Sequence, residues 1–123
     1  MKFIEKRKSP RIILDDVTVE VYRSAAQISE PELTDICTVM NISENGMLFI
    51  AHNLFEPGQL LRLTFLLPDS FVIIRTDALT IRTVSSKGSH ETGVQFKNLG
   101  LAERKLISHF VNKALGSEAP AAD

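Results

Sequence analysis

Apolar and polar residues alternate with a period of two over most of the chain, beginning near Ile12. Val17, Val19 and Val21 alternate with more polar residues, which is typical of a strand that buries one face. The same pattern recurs downstream and predicts further strands. These segments are 35–42, 47–51, 60–67, 71–75, 78–84 and 91–96. We therefore expect six to seven short strands.

Polar segments with glycine or proline separate the predicted strands. Asn45-Gly46 predicts a tight turn, because both residue types readily adopt positive φ. Glu56-Pro57-Gly58, Pro68-Asp69-Ser70 and the polar segment 85–89 mark other turns. Residues 24–33 are rich in polar side chains and predict a longer loop.

The periodicity changes near the C-terminus, where apolar residues recur at helical spacing. The residues on this face are Leu106, Ile107, Phe110, Val111 and Ala114. Asn98 or Gly100 suits the helix start, and Gly116 suits its end. We predict an all-β domain over 12–115, a small barrel of six to seven strands with a C-terminal helix packed on an end or edge, and a disordered tail over 116–123. A β-sandwich is the alternative.

The chain has 123 residues, of which 44% are hydrophobic, enough for one domain with its own core. The single cysteine, Cys37, cannot form an intramolecular disulfide. The first residues contain no apolar segment typical of a signal peptide, and the longest apolar run, Leu60–Leu67, is too short to span a bilayer. We therefore expect a cytoplasmic protein without membrane insertion.

Charge is distributed unevenly along the chain. Residues 1–11, which we call the N-terminal arm, contain five basic residues and one acidic residue and carry a net charge of +4. The remaining residues carry −5, since the whole chain has a net charge of −1. A basic flexible arm requires an anionic partner, whereas the acidic body argues against a broad nucleic-acid surface.

Residues with catalytic or metal-binding chemistry form no recognisable site. His52, His90 and His109 are widely separated and have no metal-ligand spacing with Cys37. Asp15-Asp16 is a carboxylate pair, but adjacent strand residues point to opposite faces. No nucleophile elbow or phosphate-binding glycine loop is present. We expect neither an enzyme nor a metal or cofactor site.

Two further motifs have ordinary structural explanations when each is taken alone. Arg7 and Arg11 could belong to a solvated basic terminus, and Asn41, Ser43 and Gly46 to a β-turn. In this order and setting they resemble the PilZ domain family, which has an Arg-x-x-x-Arg motif before the first strand. The family also has an Asp/Asn-x-Ser-x-x-Gly motif at the end of a later strand.

The resemblance extends over roughly residues 5–114 and implies a six-stranded antiparallel barrel with a C-terminal helix. Pro57-Gly58 precedes a long strand, Gly93-Val94-Gln95-Phe96 is similar to the closing strand of the family, and the predicted helix lies where the family has one. Lys6 stands where many relatives have another arginine, and it lacks a fork-shaped donor. Ligand stoichiometry therefore remains open.

The resemblance implies a sensor that binds cyclic di-GMP through Arg7, Arg11, Asn41 and Ser43. Gly46 would supply turn geometry, and Gly93 is a weaker candidate that could equally be structural. Ligand binding would order the arm, and the resulting surface would contact a separate downstream protein that controls motility, adhesion or exopolysaccharide production. A homodimer is compatible with the pattern but is not required by it.

Two other functions remain as alternatives. One is a PilZ-type adaptor that acts through protein contacts alone and binds no nucleotide. The other is an oligonucleotide-binding barrel, which an acidic body without a row of exposed aromatic residues argues against.

Overall fold

The computed structural model of the protein describes residues 11–14, 16–23, 32–68 and 70–118. Within these residues, seven strands precede one helix. The strands are β1 (Ile12–Ile13), β2 (Thr18–Arg23), β3 (Glu32–Ile42), β4 (Gly46–Ala51), β5 (Leu60–Leu66), β6 (Ile73–Ser86) and β7 (Ser89–Lys97), and the helix is α1 (Leu101–Glu118).

Six of these strands close into an antiparallel barrel. Hydrogen-bonded neighbours follow the order β3-β2-β5-β6-β7-β4, and β4 pairs with β3 to complete the ring. The short β1 pairs with the end of β3, beyond the part of β3 that pairs with β2. The predicted six-stranded barrel is therefore confirmed, with one additional short strand, and the sandwich alternative is wrong because the sheet closes.

In each barrel strand, the apolar residues that alternate with polar ones face inward and fill the barrel interior. Val19 and Val21 of β2 are completely buried, as the period-two pattern predicts. Phe49 and Phe55 meet edge to face with ring centroids 6.4 Å apart, and Phe65 stacks on Phe96 at 6.1 Å. Burying a large apolar side chain contributes about 1.5–3 kcal/mol to stability, so these rows stabilise the barrel that positions the site.

The predicted strands 71–75 and 78–84 merge into one continuous strand, β6, except that Phe71 and Val72 precede its first residue. The predicted break between strands at Thr76 and Asp77 is wrong, because both polar side chains form contacts within the sheet. The buried hydroxyl of Thr76 donates to the carbonyl oxygen of Lys97, with the two oxygens 2.9 Å apart. Asp77 faces outward and forms an ion pair with Arg62 across the β5–β6 pair, at 3.3 Å.

Two predicted boundaries also move. Strand β3 begins at Glu32, so the end of the predicted loop 24–33 is strand, while residues 24–31 lie outside the described residues. Helix α1 continues through Gly116 to Glu118, so the predicted stop at Gly116 is wrong. Glycine disfavours a helix interior by only about 1 kcal/mol and does not by itself end one. Residues 119–123 of the predicted tail lie outside the described residues.

The predicted apolar face of α1 is confirmed. Ile107 and Val111 are buried, and the amide of Arg104 donates to the carbonyl oxygen of Gly100 at 2.8 Å in the first turn. Leu106, Phe110 and Ala114 are half-buried against the same core. In the described part of the chain, no helix is both long and apolar enough to cross a membrane.

Candidate ligand-binding site

The chain between β3 and β4 makes a tight turn over Ser43–Gly46. The amide of Ser43 donates to the carbonyl oxygen of Gly46 at 2.9 Å, which closes a turn with Glu44 and Asn45 at its centre. The side-chain oxygen of the buried Ser43 accepts a hydrogen bond from the amide of Asn45 at 3.3 Å. The predicted turn therefore forms where the motif places it, and Ser43 holds its shape.

Gly46 is required for a reason other than the predicted one. Neither Asn45 nor Gly46 is among the described residues with positive φ. Instead, a Cβ added at Gly46 would collide with the carbonyl oxygen of Val94 in β7. The amide of Phe96 also donates to the carbonyl oxygen of Asn45 at 2.8 Å. The turn is therefore packed against β7, and only a residue without a side chain allows this close approach.

A cleft of about 440 Å³ opens on the outer face of the barrel beside this turn. Four of the predicted site residues lie along it: Arg11, Ser43, Gly46 and Gly93. The rest of the lining comes from β4, β6, β7 and the turn, and consists of Asn45, Met47, Leu48, Ile81, Arg82, Val94 and Gln95. The fold thus brings residues from both ends of the chain into one site.

Strand register explains the shape of this cleft. Leu48 of β4 pairs with Gly93 of β7, which pairs with Arg82 of β6, so the three form a transverse row. Gly46 pairs with Gln95 and begins the next row on the same face, about 7 Å away at two residues along a strand. The Leu48–Gly93–Arg82 row therefore ends at an arginine, and the row that begins with Gly46 ends at the polar turn.

Asn41 lies beside the cleft and is not part of its lining. It pairs with Leu48 on one side and with Ile13 on the other, so it extends the Leu48–Gly93–Arg82 row across β3. Its side-chain oxygen is buried and has no hydrogen-bond partner among the residues that the structure describes. Leaving a buried acceptor without a partner costs about 1–3 kcal/mol. A ligand donor that bonded to this oxygen would remove that cost and so favour the bound state.

The charge of the cleft is positive. Arg11 and Arg82 are both exposed, and no Asp or Glu is among the described residues that line the cleft. Two guanidinium groups without a carboxylate beside them in the lining favour an anionic ligand. Arg7 and Lys6, which the motif also places here, lie outside the described residues.

Arg82 is not among the residues predicted from the motifs. It lies in β6 directly after an irregularity in the β6–β7 register, where Thr80 pairs with Val94 and Arg82 with Gly93. Ile81 is therefore an extra residue, and both Ile81 and Arg82 face outward. Counting from the tip of the β6–β7 hairpin places Arg82 opposite Gly93, as observed, but the bulge at Ile81 that turns Arg82 outward is not visible in the sequence pattern.

The turn is also connected to the helix. The side-chain hydroxyl of Ser108 in α1 donates to the carboxylate of Glu44 at 3.1 Å. Glu44 is one of the two central residues of the turn, so a change in turn geometry would alter this contact. One side-chain hydrogen bond therefore connects the turn beside the cleft to the helix.

The remaining reactive side chains stay separate from the cleft. Among the described residues, no group of three His, Cys, Asp or Glu side chains could hold a metal ion. Cys37 is buried, and burial raises the pKa of its thiol, so it stays protonated. His90 contacts the hydroxyl of Ser85 at 2.7 Å on an exposed hairpin.

Asp35 has a structural role at the end of β4. Its buried carboxylate accepts hydrogen bonds from the amides of His52 and Asn53, at 2.7 and 3.0 Å. Burial by itself raises the pKa of Asp35, but these hydrogen bonds and the contact with the His52 ring outweigh burial and hold the pKa below its usual value. Asp35 therefore anchors the loop that follows β4 as an ionised group.

The chain belongs to the PilZ domain family. The sequence model of the PilZ domain matches residues 5–113, which is most of the chain and confirms the resemblance carried by the two motifs. Comparison with curated protein sequences gives no significant match.

Solved structures with the same fold include proteins from Bacillus subtilis and Escherichia coli. The inhibitor of motility MotI from Bacillus subtilis has a TM-score of 0.72 at 17% identity, with 93% of this chain and 53% of that chain covered. YcgR from Escherichia coli, solved in complex with c-di-GMP, has a TM-score of 0.68 at 15% identity, with 91% and 47% covered.

The isolated PilZ domain of YcgR, also solved with c-di-GMP, has a TM-score of 0.62 at 14% identity, with 91% of this chain and 96% of that chain covered. Identities this low show a shared fold and nothing more about the ligand. This chain spans about half the length of the MotI and YcgR chains.

Proposed function

We propose that this protein binds cyclic di-GMP in the cleft beside the Ser43–Gly46 turn and acts as a non-enzymatic sensor. The observation that supports this most directly is the meeting of Arg11 with Ser43 and Gly46 around one positively charged cleft. Those residues come from the two motifs of the family, which are separated in sequence and need not have met. Two solved structures that share the fold, both of YcgR, contain c-di-GMP.

The residue types suit the two chemical parts of this ligand. Cyclic di-GMP carries two phosphates, which guanidinium groups engage through charge-assisted hydrogen bonds. It also carries two guanines, whose O6 and N7 atoms accept two parallel hydrogen bonds from an arginine. Asn41, with its unpartnered buried oxygen, would accept a hydrogen bond from a guanine amino or imino group. Ser43 and Gly46 would shape the wall beside the phosphate.

Binding would change the arm that carries Arg7 and Arg11. Capture of both arginines by one ligand would bring the N-terminal arm against the barrel and create a surface that the ligand-free protein does not present. A separate downstream protein would recognise this surface, and motility, adhesion and exopolysaccharide production are the candidate outputs. We expect the amide protons of residues 2–9 to exchange more slowly with solvent when cyclic di-GMP is added.

Calorimetry with cyclic di-GMP tests the site. We expect wild-type protein to bind, and Arg7→Ala and Arg11→Ala each to weaken binding about tenfold or more, because hydrogen bonds to charged groups contribute about 1.5–3 kcal/mol. Lys2→Ala is the matched control, since it removes one positive charge from the same arm outside the motif. It should bind within about threefold of wild type.

Each alternative function gives a different result in these measurements. An adaptor that acts through protein contacts alone would release no heat with cyclic di-GMP. An oligonucleotide-binding barrel would bind single-stranded nucleic acid with an affinity that falls steeply with salt concentration. Undiminished binding by both arginine variants would show that the ligand occupies another part of the protein.

A further inference from the structure

One of the two arginines that line the cleft, Arg82, lies outside both sequence motifs. Arg82 extends from β6 over Gly93, where a Cβ added to the glycine would be 3.5 Å from the Cγ of Arg82 and 3.8 Å from its Nε. The same added atom would be 3.9 Å from the Cδ1 of Leu48. The stem of Arg82, the bare backbone of Gly93 and the Leu48 side chain therefore form one continuous, largely apolar surface.

Among the described residues, no carboxylate holds the guanidinium of Arg82. The structure shows no hydrogen bond or ion pair for Arg82 within the described residues, whereas Arg62 on the neighbouring strand pairs with Asp77. Arg82 is exposed and lines the cleft, together with Arg11 on the side of the turn. A ligand can therefore bind the Arg82 guanidinium without breaking a hydrogen bond or ion pair to another described residue.

The bulge in β6 explains why Arg82 faces the cleft. Regular alternation after the buried Thr80 would turn Ile81 outward and the next residue inward. Because Ile81 is an extra residue in the register, Arg82 also faces outward and pairs with Gly93. The irregularity therefore places a charged side chain on the ligand face instead of in the core.

We propose that Arg82 contacts a guanine base of the bound cyclic dinucleotide, and that Gly93 is needed to keep this surface flat. This inference rests on the proposed function and assigns a residue that determines base specificity. The apolar surface around Gly93 suits a purine ring, whereas the polar turn at Ser43 and Gly46 suits phosphate. An arginine at the edge of such a surface can donate in parallel to O6 and N7 of guanine, while adenine presents an amino group in place of O6.

Base recognition is separated from phosphate binding by comparing two ligands. Calorimetry with cyclic di-GMP and cyclic di-AMP would be performed on wild type, Arg82→Ala and Arg82→Lys. We expect Arg82→Ala to weaken cyclic di-GMP binding about tenfold to a hundredfold and to leave the weaker cyclic di-AMP binding nearly unchanged. Arg82→Lys should also lose most of the preference for cyclic di-GMP over cyclic di-AMP, because an ammonium group lacks the planar fork of donors.

Arg75→Ala is the matched control. Arg75 is an exposed arginine on the outer face of the same strand, and it lies outside the cleft. Its substitution changes the net charge equally and should leave both affinities within about threefold of wild type. Gly93→Val should reduce cyclic di-GMP affinity and preference together, since its side chain would displace the stem of Arg82. Circular dichroism of every variant would show whether the barrel is intact.

The outcomes distinguish this inference from the proposed function. If wild type binds cyclic di-GMP and Arg82→Ala binds it equally well, the inference is wrong and the proposed function stands. If Arg82→Ala weakens both ligands by the same factor, or Arg82→Lys retains full preference, Arg82 contacts phosphate and the base assignment is wrong. If wild type binds no cyclic di-GMP, both are wrong.

Discussion

Two tight turns of the barrel contain glycine for opposite physical reasons. At the tip of the β6–β7 hairpin, Lys87 and Gly88 have φ values of 52° and 84°, and nothing lies within 4 Å of a Cβ added at Gly88. At the turn over Ser43–Gly46, no positive φ occurs, but an added Cβ at Gly46 would meet the backbone of Val94. Gly88 is needed for a local backbone conformation, whereas Gly46 is needed for a tertiary contact.

The difference shows how the candidate site is built. The β6–β7 tip extends into solvent, so its geometry depends only on its own residues. The Ser43–Gly46 turn is held from three sides, by Ser43 inside it, by β7 through Phe96, and by α1 through Ser108. A ligand cleft needs walls that do not move when empty, and packing against β7 supplies this rigidity.

The largest effect is expected from Gly46→Ala. Overpacking against rigid structure costs about 1–3 kcal/mol, and the obstructing atom here belongs to the backbone, so we expect a loss near the upper end. Urea unfolding would measure the free energy of unfolding, and calorimetry would show weakened binding of cyclic di-GMP. A variant as stable as wild type would contradict the close approach of the turn to β7.

A loop anchored by a buried carboxylate should respond to pH, unlike either glycine turn. The pKa of Asp35 is lowered in the folded protein, so its stabilising effect is complete above the unfolded pKa, about 4. That effect is lost as pH falls through the still lower folded pKa. Asp35→Asn should cost about 1–3 kcal/mol at pH 7 and flatten the loss of stability below pH 4 or so.

The control for this prediction is Glu91→Gln, which alters an exposed carboxylate on β7. Its unfolding free energy should follow that of wild type at each pH. If Asp35→Asn retained the full acid dependence of wild type, another carboxylate would be responsible.

A smaller effect is expected from Gly88→Ala. An alanine in the left-handed region costs about 1 kcal/mol, and no neighbour obstructs the added methyl group. Gly88→Asn is the matched control and should be closer to wild type, because asparagine adopts this conformation more readily. Neither variant should change cyclic di-GMP affinity, since the tip lies outside the cleft. A loss of binding would mean that the two turns are coupled.

The smallest effect is expected from Ser108→Ala. It removes one half-buried hydrogen bond from the helix to Glu44 and should cost about 0.5–1 kcal/mol in thermal or urea unfolding. Ser108→Thr keeps the hydroxyl and should behave as wild type. A change in cyclic di-GMP affinity larger than the change in stability would indicate that α1 and the ligand turn are coupled beyond this single contact.

Much of the fold could be predicted because its information is local. The alternation around Val19 and Val21, the turn-forming residues, and the helical spacing of Ile107 and Val111 each depend on neighbours within a few residues. The predicted interruption of β6 at Thr76-Asp77 was wrong because the partners that satisfy those polar groups lie on other strands.

The sequence by itself determined the order of strands, the terminal helix and both motifs, and through them the family. It placed Ser43 and Gly46 in a turn because short-range hydrogen bonding and glycine content are properties of a segment. Only the tertiary structure decided that Gly46 must approach Val94, that Asn41 lies beside the cleft with an unpartnered oxygen, and that Arg82 faces it. These facts depend on the closure of the barrel and on one bulge in β6, which join residues that no local pattern relates.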